Sequence, residues 1–237
     1  VKNESRRNLA ALLLAIAYIC AGPLMSSLSM PPLRMLFDGI AALSILILLK
    51  DRRHEPVPLS PPWAILFILG GIMIATILTG AWVELVTVAE PAQEAVIATG
   101  KIPPIEARSS LQNLSVLVLG PTVEEIIYRL AILGGLSHLI GKAPALIISA
   151  MVFAAVHADV YPVAILVPMF IMGILLGITF FLLGLPWAIV THMFNNMRPL
   201  ILESNALTVV VAVFSIWGMW VFLSRTIRLR RSVFGGW

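Results

Sequence analysis

Three short stretches of this chain place proton-transferring groups where hydrocarbon is expected on all sides. The first is Gly120-Pro121-Thr122-Val123-Glu124-Glu125-Ile126-Ile127-Tyr128-Arg129, inside an apolar run from about Leu111 to Leu136. The second ends Phe153-Ala154-Ala155-Val156-His157, and the third holds His192-Met193-Phe194-Asn195-Asn196. A charge at membrane depth costs on the order of 3 kcal/mol on insertion scales, so such residues pair, line a wet cavity or serve a function. Glu and His can position and deprotonate a water, while His and Asn can donate hydrogen bonds to a developing oxyanion. That set suffices for amide hydrolysis without a covalent intermediate, and no serine or cysteine is evidently poised beside it as a nucleophile. Glu124, His157 and His192 are also a workable zinc ligand set with water in the fourth position. Residue types alone leave the two mechanisms open.

Spacing sorts these groups further. Adjacent helix positions point about 100° apart, so Glu124 and Glu125 cannot share one environment. Glu125 and Arg129 stand at i, i+4 with the acid first, the better order for an ion pair. Glu124 is left without a local cation, which suits it to proton transfer. Gly120-Pro121 predicts a break or kink, and Thr122-Val123-Glu124-Glu125 reads as a capping box opening a new helical segment. His192 and Asn196 share a helix face at i, i+4. Each group also has a plain structural use: His157 suits the interfacial end of a span, and a His/Asn pair makes an interhelical hydrogen bond worth about 0.6 kcal/mol.

The elements that carry these groups are membrane helices. The chain has 237 residues, mean hydropathy +0.99, 59% hydrophobic and only 12% charged residues; soluble domains carry about 25% charged. Apolar runs predict an all-α, polytopic bundle of about eight transmembrane helices: 9–28, 33–49, 63–86, 111–136, 144–158, 161–183, 185–202 and 207–223. Residues 1–237 read as one membrane domain, with the motifs at about 111–200. The basic N-terminal flank lacks a clear small-x-small cleavage site, so the first run reads as a retained span. Basic residues cluster at alternate helix ends: Lys2, Arg6, Arg7, Lys50, Arg52, Arg53, Lys142 and four tail arginines against Arg34, Lys101, Arg108 and Arg198. That bias predicts both termini on the cytoplasmic side, and it accounts for the net charge of +4 without a nucleic-acid partner. The expected location is the plasma membrane of a prokaryote, with the lipid bilayer as the surrounding partner. Arg34 and Asp38 read as a local ion pair, Ala89–Ser110 as a short interfacial helix and loop, and His54 as a solvated loop residue. The lone Cys20 excludes an intrachain disulfide and a cysteine metal cluster.

Glu124-Glu125-x-x-x-Arg129, Phe153-x-x-x-His157 and His192-x-x-x-Asn196, in that order on separate apolar helices, resemble the CPBP (Abi) family of intramembrane proteases. That family includes the type II CAAX prenyl proteases (Ras-converting enzymes) and bacteriocin-processing or immunity-associated proteins. The resemblance spans about Gly120–Asn196. It implies an intramembrane endopeptidase of the glutamate type. Glu124 would be the general base with His157 assisting, His192 and Asn196 the oxyanion-stabilising pair, and Glu125 and Arg129 the support of the motif helix. No metal cofactor is favoured; zinc on Glu124, His157 and His192 remains the alternative. The substrate implied is a membrane-anchored, lipidated or hydrophobic protein or peptide. The first three spans carry no recognisable prenyl-binding signature, so a prenylated substrate is not implied. Two competing functions use the same residues: an immunity or partner-binding membrane protein with a buried polar network, and a proton- or ion-coupled carrier using Glu124.

Overall fold

The computed structural model describes residues 2–27, 31–50, 59–89, 109–159 and 161–234. Eight helices form there: α1 (Lys2–Ser27), α2 (Pro31–Leu48), α3 (Pro61–Ala89), a composite α4 from Ser110 to Ile140, α5 (Lys142–Val156), α6 (Val163–Leu183), α7 (Leu185–Leu202) and α8 (Asn205–Phe234). The expected interfacial helix and most of the basic loop that includes His54 lie outside the described residues.

The all-α bundle stands, but the expectation of about eight membrane-spanning helices is corrected. Among the described residues three helical stretches are long and apolar enough to cross a membrane, Pro61–Val86, Val163–Leu183 and Asn205–Ile227. A shorter apolar helix, Lys142–Val156, stands beside them. This makes the chain a multi-pass membrane protein. Three of the other helices depart from the pattern for visible reasons. The α1 helix opens with Lys2, Glu4, Arg6 and Arg7. The α4 rod is divided into short segments around two acids and an arginine, and α7 carries His192, Asn195, Asn196 and Arg198. Apolar runs locate helices well; they count spans poorly when polar residues are concentrated in the same helices.

Between helices in lipid, packing rests on close van der Waals contact rather than on water exclusion, and small residues permit the closest approach. The α3–α8 crossing shows this. A Cβ built on Gly70 would collide with the Gly218 backbone, and Gly71 faces Leu175 and Phe222. The α5–α6 pair uses the same device: a Cβ on Gly173 would lie 3.0 Å from Ala150 Cα, and Gly177 abuts Leu146 and Leu133. Phe67, Ile45, Ile127, Phe153, Leu176 and Val221 are fully buried in the main core. Two sharp reversals set the site's neighbours. Gly141 (φ 84°) joins α4 to α5, and Gly184 (φ 90°) joins α6 to α7, backbone angles that favour glycine.

The α4 rod does not break at Gly120-Pro121 as expected. Helical segments Ser110–Leu114, Gly120–Glu125 and Gly134–Ile140 alternate with wider π-helical ones, Ser115–Leu119 and Ile126–Leu133. Leu119 and Gly120 keep helical angles, and the Gly120 N–H donates to Ser115 O, five residues back. The proline's missing N–H is absorbed by that wider turn. The capping box is not formed: Thr122 Oγ1 donates to Val118 O at 2.7 Å, an alternative that hydroxyl side chains offer inside a continuous helix.

The α3–α8 contact yields a test. Gly218→Val should cost about 1–3 kcal/mol through overpacking and lower the thermal midpoint in detergent. Gly80→Ala, where a Cβ meets nothing within 4 Å, should leave the midpoint unchanged or raise it. Equal midpoints for Gly218→Val and wild type would refute the close crossing.

Candidate active site

Glu125 and Arg129 are the charged anchors of the site, and both are fully buried. Their i, i+4 pair forms, with Arg129 Nε donating to Glu125 Oε2 at 3.0 Å. The pair is extended on both sides. Arg129 Nη1 reaches Ser149 Oγ of α5 at 3.4 Å, and Ser149 Oγ donates to the Tyr128 carbonyl at 3.0 Å. That carbonyl belongs to the π-helical part of α4, so α5 is tied to the segment whose ladder is altered. Arg129 Nη2 has no hydrogen-bond partner, but the guanidinium lies over the Phe153 ring, Cζ 4.9 Å from its centroid. A ring face accommodates a cation there.

The other Glu125 oxygen accepts from α7. His192 Nδ1 lies 2.9 Å from Glu125 Oε1. The acceptor is a carboxylate already paired with arginine, so Nδ1 carries the hydrogen and the Nε2 edge is turned toward Glu124, 3.8 Å from its Oε2. His157 is arranged in parallel. It occupies the single 3₁₀ turn that ends α5, and its Nδ1 donates to the Phe153 carbonyl at 2.7 Å. Its Nε2 also faces Glu124 Oε2, at 4.0 Å. Phe153 separates and orients the two imidazoles, with ring centroids 4.7 Å from His157 and 5.8 Å from His192.

Glu124 thus differs from its neighbour in every respect. Its side chain is about one-third exposed (32%), and its Oε2 is buried without a hydrogen bond. Distances of 3.8 and 4.0 Å to the two imidazoles are too long for direct hydrogen bonds. They suit a small molecule held between the three groups.

Asn196 lies one turn beyond His192 and donates through Nδ2 to Val116 O at 3.0 Å. The π turn explains this bond. The Gly120 N–H is taken by Ser115 O, and Pro121 has no N–H, so Val116 O loses both donors that its own helix could offer. The Asn196 amide fills the vacancy. Asn195 contributes a long contact to Asn196 Oδ1, 3.5 Å. Arg198 donates to Thr76 Oγ1 of α3 at 2.8 Å. Asp38 accepts the Tyr18 hydroxyl at 2.8 Å.

The structure therefore gathers Glu124, Glu125, Arg129, His157 and His192 around one point, with Asn196 bonded to the same helix as the two acids. Sequence reasoning missed Ser149, the Val116 carbonyl and the direct Glu125–His192 bond. The proline at 121 was a usable signal for the free carbonyl; nothing local signals the other two. For zinc, ligands at about 2.0–2.2 Å would sit roughly 3.3–3.6 Å from one another. The Glu124–imidazole distances are wider, and among the described residues no group of three or more His, Cys, Asp and Glu side chains could hold a metal ion.

Residues 107–198 match the family model described as Rce1-like, type II CAAX prenyl endopeptidase Rce1-like. The match covers less than half of the chain, so the similarity is to a CAAX-protease domain over that stretch and not to a full-length CPBP protein. Its span takes in the whole His–Glu network. No curated protein and no solved structure matches the chain.

The buried ion chain makes a stability prediction. Arg129→Met strands the Glu125 carboxylate in the core and should cost about 3–5 kcal/mol. Ser149→Ala removes a hydroxyl link and should cost about 1 kcal/mol. Unfolding titrations in mixed micelles would measure both, and an Arg129→Met protein as stable as wild type would contradict the ion chain.

Proposed function

We propose that this protein is a membrane-embedded endopeptidase in which Glu124 activates a water molecule against a peptide bond. The observation that carries the reading is the convergence of Glu124 Oε2, which has no hydrogen bond among the described residues, with the Nε2 edges of His157 and His192, at 4.0 and 3.8 Å. Both imidazoles have their Nδ1 hydrogens committed elsewhere, to the Phe153 carbonyl and the Glu125 carboxylate. A water in this space donates one hydrogen to Glu124 Oε2 and the other to His157 Nε2. A lone pair of the water oxygen is then directed at a carbonyl carbon.

The step balances with water alone. The water oxygen bonds to the carbonyl carbon as its proton passes to Glu124, and the carbonyl π pair moves onto oxygen. In this reading His192 acts as an imidazolium, and its Nε2–H stabilises that oxyanion together with the second amide hydrogen of Asn196. Collapse breaks the C–N bond, and Glu124 returns the proton to the leaving amine. Glu125 and Arg129 act through His192: they hold its ring and stay outside the proton path.

The catalytic assignments to Glu124, His157, His192 and Asn196 rest on this geometry together with the resemblance over 107–198. The substrate class that fits is a membrane-anchored, lipidated or hydrophobic protein or peptide, since the site lies among helices of a multi-pass membrane protein. The whole chain acts as one membrane domain in this reading.

The test is peptide cleavage by the purified protein in liposomes, read by mass spectrometry over hydrophobic and prenylated peptides. Glu124→Gln should lower cleavage by a factor of at least about 100 and leave the thermal midpoint unchanged, since general base catalysis contributes 10²–10⁴-fold. Cleavage should also be indifferent to a chelator. Loss with chelator and recovery with zinc would replace the glutamate mechanism by the metal one, and full activity of Glu124→Gln would refute both.

A further inference from the structure

We propose that the hydroxyl of Tyr128 is a third donor to the oxyanion, a catalytic group supplied by α4 itself. This rests on the proteolytic reading of the site and adds a residue to it. The oxyanion is short of donors. A tetrahedral oxyanion is best held by two or three aimed hydrogen-bond donors. His192 has one ring edge left after its bond to Glu125, and Asn196 has one amide hydrogen left after its bond to Val116 O. Each therefore offers half of its capacity, along directions already fixed by its other bond.

Tyr128 is differently placed. It stands four residues after Glu124, so the two share one face of α4. Its ring is held edge-on to Phe153, centroids 5.4 Å apart, the same ring that orients both histidines. The residue is only 5% exposed, and among the described residues its hydroxyl makes no hydrogen bond. Buried tyrosine hydroxyls usually find a partner. The second phenol on this side of the site shows the contrast: Tyr18 donates to Asp38 at 2.8 Å and stacks on Phe37 at 5.2 Å, so it is committed. Tyr128 alone of the two keeps its hydrogen for an incoming group.

In the reaction the hydroxyl transfers no proton. As the water oxygen bonds to the carbonyl carbon and its proton passes to Glu124, the developing alkoxide accepts a hydrogen bond from Tyr128. That bond weakens again when the C–N bond breaks and the carbonyl re-forms.

The experiment compares wild type, Tyr128→Phe and Glu124→Gln in phospholipid nanodiscs. Turnover is measured with a hydrophobic peptide panel. Binding is measured with one parent peptide, in the Glu124→Gln background, and with its phosphonate analogue, whose tetrahedral oxygens mimic the oxyanion. Tyr128→Phe should keep its thermal midpoint and KM, lower kcat roughly 100-fold, and weaken phosphonate binding by a similar factor. Parent-peptide binding should not change. Wild-type kcat in Tyr128→Phe, or equal losses for phosphonate and parent peptide, would overturn the role. Should no peptide turn over, phosphonate affinity still decides: equal values with and without the hydroxyl overturn it. If Glu124→Gln abolishes cleavage while Tyr128→Phe is fully active, the protease reading survives and only this inference falls. Cleavage that survives Glu124→Gln removes the protease reading itself.

Discussion

A guanidinium and a carboxylate with no solvent exposure lie at the centre of this bundle, and the arrangement of α4, α5 and α7 follows from satisfying them. Isolated, either ion would cost several kcal/mol to bury. Together they form a chain in which Glu125 accepts from Arg129 and His192, and Arg129 also reaches Ser149 and the Phe153 ring. Every link beyond the first crosses to another helix. A shift of α7 along its axis would pull His192 from Glu125, and a shift of α5 would uncover Arg129. The ion chain thus converts an electrostatic demand into a geometric one, and that geometry sets where the Nε2 edge of His192 points.

The π-helical segments of α4 supply a second constraint of the same kind. A carbonyl stripped of its intrahelical donors inside a protein must find another partner. Val116 O finds Asn196, which fixes α7 to α4 one turn away from the His192–Glu125 bond. Two contacts a turn apart define a register; one would leave a pivot. Wider helical turns of this sort often accompany functional sites. Here the reason is concrete: proline in a wide turn exposes a carbonyl, and the amide that answers it comes from the helix carrying a site histidine.

Much of this was legible in the sequence because it is local. Eight helices follow from apolar runs, and the Glu125–Arg129 pair follows from i, i+4 spacing. The number of membrane crossings was not legible, since charged and polar residues sit inside the runs used to count them. Thr122 had two hydroxyl options, an N-cap or a bond back to Val118 O, and local pattern could not rank them. The Glu125–His192 bond joins residues 67 apart, and no periodicity announces a contact between two helices that are not neighbours in the chain. The resemblance gathered these residues without saying which acid the second histidine would hold.

The adjacency of the two acids gives the site its asymmetry. One peptide unit turns the side chain by about 100°, enough to send Glu125 into the ion chain and Glu124 toward the opening. The first carboxylate has both oxygens engaged, whereas the second has a buried oxygen with no bond. A proton acceptor needs a lone pair that is not already committed. Both oxygens of Glu125 are occupied, by arginine and by imidazole, whereas Glu124 Oε2 faces two imidazole edges without a hydrogen bond. The same step of one residue therefore separates the acid that holds the fold from the acid free to react. Exchanging their environments would require rotating α4 as a whole, which the Asn196 and Ser149 links oppose.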